Sequence, residues 1–414
     1  MKHISVRLFL CLFSIALKIN ICAQQHCGCT DVFADNYDPD ALCDDGSCSY
    51  ASLLYTPRQL AVLPDELRES SGLVFCAGRL WSHNDSGDAA VLYALDTTDF
   101  HVTQRLHLVN AKNKDWEDIC ADEQWLYVGD FGNNKGNRKD LRIYRLALEH
   151  IPDSGDAALQ IDTIKFCYAD QTNFEKRRDH DYDCEALFVT RNYLYLLTKN
   201  WQTQQTRLYR LPKTPGEYRA DPVSGFDCKG LITGADYNPK TNMIAIVGYK
   251  DKVWEPFMYF IYDLDEVAIK AHGRRIDMPR LIGTQLEGIA FVDDHRLLLS
   301  AEKSPLTTSA SIFVVELDDI DHLQWLIGRG LQQVECITAS LDEDDMTTIM
   351  IEPRIIKRGK YRLMLLDSDG NVVMTKGVRL NSHDSFSLVT PTALGMVNYV
   401  VLLGRKKSYI APLK

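Results

Sequence analysis

The 414-residue chain has no clustered basic face: its longest runs of Lys and Arg are Lys176-Arg177-Arg178 and Arg405-Lys406-Lys407. A protein that reads a phosphate backbone needs such a cluster, so nucleic acid is not an expected partner. After the apolar run Leu8 to Leu17, no stretch approaches the ~18 consecutive apolar residues of a membrane-spanning helix, and no transmembrane segment is expected. Also missing are a His-Glu-x-x-His zinc helix, a Gly-rich phosphate loop and a Gly-x-Ser-x-Gly nucleophile elbow. Gly129-Asp-Phe-Gly132 matches a kinase fragment only out of context, because here it ends a strand. The composition itself, 45% hydrophobic and 25% charged, excludes disorder over the whole chain and a collagen-like repeat.

What is present starts with an address. Lys2 and Arg7 precede the short apolar run, and Ile21-Cys22-Ala23 offers a small residue at a cleavage point, so residues 1–23 read as a secretory signal peptide. The net charge of −11 becomes more negative once Lys2, Arg7 and Lys18 leave with it. Export agrees with cysteine usage: of the 12 Cys, ten follow Ala23, an even number suited to an oxidising compartment.

Residues 24–50 are crowded with Cys, Asp, Asn and Gly and hold too few apolar side chains for a core, so disulfides among Cys27, Cys29, Cys43 and Cys48 must hold them. Four Cys allow three pairings. The pattern Gly28-Cys-Thr-Asp31, Asn36-Tyr-Asp-Pro39, Asp44-Asp-Gly-Ser-Cys48 resembles a short repeat of secreted Gram-negative proteins. That resemblance implies Cys29–Cys48 with Cys27–Cys43. Asp31, Asp38, Asp44 and Asp45 are either hard oxygen ligands for Ca²⁺ or simply turn formers between the disulfides.

Residues 57–325 contain a repeat. Ser71-Gly-Leu-Val-Phe75, Glu117-Asp-Ile-Cys-Ala121, Glu185-Ala-Leu-Phe-Val189, Thr233-Gly-Ala-Asp-Tyr237 and Glu287-Gly-Ile-Ala-Phe291 align, each followed by two more short runs rich in β-branched and aromatic residues. A weaker fourth strand precedes each next unit, as in Arg105-Leu-His-Leu-Val109. Four strands per unit at this period predict a β-propeller. The expected fold class is all-β: a five-bladed propeller (six-bladed if the interval 121–184 hides another blade). Gln59-Leu-Ala-Val-Leu63 would supply the missing outer strand of the last blade.

In a propeller, the openers of the first strands and the ends of the second strands converge on one channel mouth. The openers are Ser71, Glu117, Glu185, Thr233 and Glu287. The second-strand ends are His83-Asn84-Asp85, Asp130 with Asn133 and Asn134, Lys199-Asn200, Tyr249-Lys250 and Glu302-Lys303. Three glutamates at one repeat position are not a packing requirement. Such a ring needs compensation. A divalent ion such as Ca²⁺ on Glu117, Glu185 and Glu287 would supply it, as would direct pairing with Lys199, Lys250 and Lys303. A water-filled polar channel, each Glu capping backbone amides, is the third alternative. His180 and the acidic run Asp179 to Asp183 fall in an insertion, read as a solvated loop or a lid. Cys184 reads as a buried thiol or disulfide partner and not a nucleophile.

The segments Asp115-Trp-Glu-Asp-Ile119, Asp183-Cys-Glu-Ala-Leu187 and Gln285-Leu-Glu-Gly-Ile289 resemble the strand openers of extracellular phytase-like esterase and SdiA-regulated-like propellers. The resemblance implies a propeller and divalent-metal binding at the mouth, without implying a reaction. Residues 331–414 alternate as short strands around a turn at Asp367-Ser-Asp-Gly370, which predicts a small β-sandwich. The order Tyr-Arg-Leu, Asp-x-Asp-Gly, Ser-Phe-Ser-Leu, Tyr-Val-Val-Leu resembles the C-terminal sorting domain of the type IX secretion system. It implies secretion machinery as a partner and a secreted or outer-surface location on a Gram-negative bacterium. The expected function is a binding propeller for an extracellular ligand or protein at an acidic mouth. A divalent-metal-dependent hydrolase of phosphoesters or lactones is the alternative.

Overall fold

The innermost strand of each repeat is buried on both faces, because each face packs against a neighbouring sheet. Cys184–Val189 and Leu286–Phe291 are buried at every position. The computed structural model describes residues 26–320, except 32–33, 39, 51–52, 251–253, 267–269, 305–306 and 308, together with strand segments between 332 and 412. The chain is all-β apart from four short 3₁₀ turns among the described residues.

Four-stranded antiparallel units follow one another. The strand β1 (Arg58–Val62) precedes them. The first unit is β2 (Ser70–Cys76), β3 (Arg79–Asn84), β4 (Val91–Leu95) and β5 (Val102–Leu108); the second is β6 (Trp116–Ala121), β7 (Trp125–Asp130), β8 (Leu141–Ala147) and β9 (Asp162–Tyr168). The third is β10 (Cys184–Val189), β11 (Leu194–Thr198), β12 (Thr206–Leu211) and β13 (Gly216–Phe226); the fourth is β14 (Leu231–Asn238), β15 (Met243–Lys250), β16 (Glu255–Asp265) and β17 (Lys270–Asp277). The last comprises β18 (Leu286–Phe291), β19 (Arg296–Ala301) and β20 (Ser311–Glu316), completed by β1, which pairs antiparallel with β20. The interval 121–184 adds only the short Ala157–Leu159, which extends the first unit beside β5.

The innermost strands close a ring: β2 packs on β6, β6 on β10, β10 on β14, β14 on β18, and β18 on β2. Each gap between neighbouring units holds its own apolar cluster. Trp81, Leu106 and Trp116 fill the first gap; Tyr127, Leu187 and Tyr209 fill the next; Phe188, Ile232 and Phe257 follow. Met258, Leu286 and Leu299 pack together, and Leu67, Leu73 and Ile312 complete the circuit. Sheets radiating from a closed ring, packed face to face, make a β-propeller. At about 1.5–3 kcal/mol per fully buried large apolar side chain, these gaps are where stability resides. Unusually, β13 pairs antiparallel with β12 and then parallel with β9, so the outer edges of the second and third units merge into one eight-stranded sheet.

Near the N-terminus, disulfides Cys27–Cys43 and Cys29–Cys48 form, as the repeat resemblance implies. Asp38, Asp44 and Asp45 accept backbone N–H groups of Asp40, Gly46 and Ser47, the turn-forming role. Asp31 is buried and accepts hydrogen bonds from Tyr50 and from Tyr262 of β16, which docks this module on the fourth unit. Cys76, Cys120, Cys167, Cys184 and Cys228 are free thiols; Cys336 and residues 1–25 lie outside the described residues. Further on, a five-stranded sheet including Gly359–Leu366, Val372–Leu380 and Tyr399–Gly404 faces a three-stranded sheet of Ile337–Leu341, Thr347–Ile351 and Phe386–Thr390. Ile349, Ile351 and Leu388 meet Leu363, Leu365 and Leu402 in one cluster between them. The turn expected at 367–370 lies outside the described residues.

Candidate functional site at the channel mouth

Five equivalent β-bulges build the mouth. Where each innermost strand meets the second strand, pairing slips between Ser70 and Leu73, between Trp116 and Ile119, between Cys184 and Ala186, between Ile232 and Gly234, and between Leu286 and Gly288. The residues left in the slips include the repeat openers Ser71, Glu117, Glu185, Thr233 and Glu287, with Gly72 beside Ser71 and Asp118 beside Glu117. A bulge breaks the two-residue alternation and re-aims a side chain, so polar groups stand at the ends of strands that are otherwise core. At two openers the side chain is a staple: Ser71 Oγ donates to the Glu117 carbonyl and Thr233 Oγ1 to the Leu286 carbonyl, both at 2.6 Å.

The three glutamates instead face a cavity of about 270 Å³, lined by Ser71, Asp85, Glu117, Asn134, Glu185, Lys199, Trp201, Tyr249, Trp254, Gln285, Glu287 and Glu302. Among the described residues, Lys199 is its only cationic lining residue. Its Nζ lies 3.2 Å from Glu185 Oε2 and over the rings of Trp201 and Tyr249, at 5.2 and 5.3 Å from their centroids. Burial disfavours that ammonium, but Glu185, Tyr249 and Glu287 outweigh it and hold its pKa well above the usual value. Glu302 is pushed up to about 8, by burial and then by Glu287. Burial also raises Glu287, to about 7 against the pull of Lys199. Glu117 and Glu185 lie well above the ordinary carboxylate range, again chiefly through burial.

One oxygen each from Asp85, Asp115 and Glu117 lies within 4.8 Å of the other two. Asp115 is raised to about 7 by burial and the neighbouring Asp85. Glu117 is 5% exposed, and among the described residues its carboxylate has neither an ion pair nor a hydrogen bond. Gly132 approaches so closely that a Cβ there would strike Glu117 Oε1 and come within 2.6 Å of Asp115 Oδ2. The oxygen-only donor set suits a hard cation. The nearby guanidinium of Arg138 pairs with Asp130 and Asp140.

Of the expected second-strand ends, Asp85, Asn134, Lys199, Tyr249 and Glu302 line the cavity and the others do not. His83 is fully buried edge-on to Trp116, with burial lowering its pKa to about 4. Asn84 donates to the Glu66 carbonyl and Asp88, and Asn133 to the Tyr182 carbonyl. Asp130 pairs with Arg138 at 3.0 Å. Asn200 is buried, Lys250 pairs with Glu255, and Lys303 is exposed. Strand ends bend, and only the inward-turned member of each pair reaches the channel.

The insertion before β10 is mostly exposed over 172–179, as a solvated loop would be, but its end is not: His180, Asp181 and Asp183 are buried. Asp183 accepts the Asn133 N–H at 2.6 Å and the Trp201 Nε1–H at 2.8 Å, which fixes that indole as a wall of the cavity. Asp118 was also not singled out in the sequence. It is fully buried in the ring and accepts N–H groups from Ile119, Leu187 and Ala235 at 2.9, 2.8 and 3.1 Å, joining three innermost strands. The signal for both was an acid inside or just before an apolar run: Asp115, Asp183 and Gln285 share one repeat position, two residues before an opener.

No family model matches the chain, and no curated protein sequence matches it. Among solved structures it is similar to an exo-β-1,3-galactanase from Phanerochaete chrysosporium (10% identity, TM-score 0.41, covering 80% of this chain and 95% of that one). It is also similar to an endo-arabinanase from Bacillus licheniformis (10% identity, TM-score 0.36, 64% and 96%) and to hydrazine synthase from Kuenenia stuttgartiensis (13%, 0.33, 58% and 79%). Likenesses this distant assign no chemistry to the chain.

Proposed function

We propose that this is an exported binding protein whose five units are the blades of a propeller, and whose mouth takes up an extracellular ligand around a divalent cation held by Asp85, Asp115 and Glu117. The observation that carries the reading is the Glu117 carboxylate, buried and without a partner beside two more carboxylates. Desolvation of an uncompensated charge is costly, and a hard cation relieves it for all three groups together. Calcium titration of the mature chain by calorimetry tests it. Stoichiometric binding lost in Glu117→Gln and Asp115→Asn is the expected result, and no heat from Ca²⁺, Mg²⁺ or Mn²⁺ overturns it.

Export is supported by the two disulfides and by the leader-like residues 1–23. We read residues 331–414 as the sorting domain for the secretion machinery. A hydrolase remains the second reading, favoured by Glu302: a carboxyl that keeps its proton near neutral pH is able to act as a general acid beside a metal. Turnover of ester or lactone probes that is lost with chelator would select it.

A further inference from the structure

We infer that the mouth ligand is a neutral, polyhydroxylated ring, a saccharide unit, stacked on an aromatic wall with its hydroxyls turned to the carboxylates. The inference rests on the cation reading above and names the ligand class of that same site.

Charge narrows the choice first. Five carboxyl groups line the cavity among the described residues against one ammonium, and that ammonium is engaged by Glu185. An anionic ligand would meet carboxyl groups on every side and no free cationic side chain among the described lining residues. A cationic ligand is disfavoured for a different reason. The faces of Trp201 and Tyr249 that would receive it carry the Lys199 ammonium, and like charges would meet there.

Hydrogen-bonding capacity narrows it further. Asp85, Glu117, Glu185 and Glu287 offer many acceptor sites and few donors, so the complementary ligand must bring O–H groups. Hydroxyl oxygens are also suitable hard ligands for the bound ion.

The aromatic wall supplies the remaining requirement. Trp201 is oriented in advance by its Nε1–H bond to buried Asp183, and Trp254 stands at the same cavity, with no cation over its ring among the described residues. A rigid aromatic face opposite a row of acceptors fits a molecule that is apolar on its C–H face and polar at its edge. The volume of about 270 Å³ holds one such ring and not an extended chain.

The test uses the full mature chain with Ca²⁺, screened against a glycan array of neutral saccharides, with glucuronate- and phosphate-bearing saccharides and tetramethylammonium as comparison probes. Binding of a neutral saccharide, about tenfold weaker in Trp254→Ala with the calcium titration unchanged, is expected. Trp254→Phe, which keeps an aromatic face, should retain most of the affinity, and the unchanged calcium titration of Trp254→Ala shows that its loss is not misfolding. If calcium binds and only anionic or ammonium probes bind, or none do, the saccharide inference is overturned and the cation reading stands. If calcium fails to bind, the cation reading falls and takes this inference with it.

Discussion

Lys199 Nζ lies 3.2 Å from Glu185 Oε2, and the two side chains are 8% and 3% exposed. Removing one member of a buried pair leaves an uncompensated charge, which costs about 3–5 kcal/mol. Lys199→Met should therefore lower stability by about that much in denaturant unfolding. Lys199→Met/Glu185→Gln should recover most of the loss. A double variant as unstable as the single one would show that the ammonium acts through other partners.

The raised carboxyls set a pH dependence. Asp115, Glu287 and Glu302 bind protons more tightly in the folded state than in the unfolded chain, at about 7, 7 and 8. Their contribution to stability is complete below about pH 4 and is lost as pH rises through those values. Without metal, the melting temperature should fall between pH 5.5 and 8.5. Glu302→Gln should flatten that fall, and saturating calcium should reduce it. A melting temperature that rises over this range would contradict the assigned shifts.

Gly132 leaves room for two carboxylates. Gly132→Ala places a methyl group against Glu117 and Asp115, so calcium affinity should drop by tenfold or more, a change of at least about 1.4 kcal/mol. Circular dichroism should be unchanged, because the residue lies on the mouth and not in an apolar gap. Unaltered calcium affinity would move the cation elsewhere.

Asp118 tests the ring separately from the mouth. Asp118→Asn keeps the shape but turns an N–H₂ toward backbone N–H groups, leaving buried donors unpaired at about 1–3 kcal/mol. Unfolding midpoints should fall while calcium binding to the folded protein persists.

Thiol labelling checks burial directly. Burial holds the Cys184 thiol well above its usual pKa, while Cys167 is exposed. Iodoacetamide at pH 8 should modify Cys167 and spare Cys184 until denaturant is added.

The repeat was legible because its requirements are local. Short apolar runs with a polar opener recur at Ser71, Glu117, Glu185, Thr233 and Glu287, and the bulges fall on those positions. Closure by Arg58–Val62 was also readable as a strand without a partner nearby. The outer strand Gly216–Phe226 was not readable. Its sequence is mostly exposed and interrupted by Pro222, and its pairing with two sheets is decided by packing from distant residues. For the same reason Trp201 was invisible as a mouth residue. Nothing in its local pattern records that Asp183, from another loop, would position it.

The closing strand carries a consequence for assembly. Gln59 Nε2 donates to Ser311 Oγ across 252 positions of sequence, so the fifth sheet cannot finish until nearly the whole ring exists. Loop-closure entropy places that step late, and such long-range pairing slows folding. Until it happens, β20 is an open strand edge, available to another chain. The seam between β1 and β20 is thus the point at which a slow-folding or truncated copy would first aggregate.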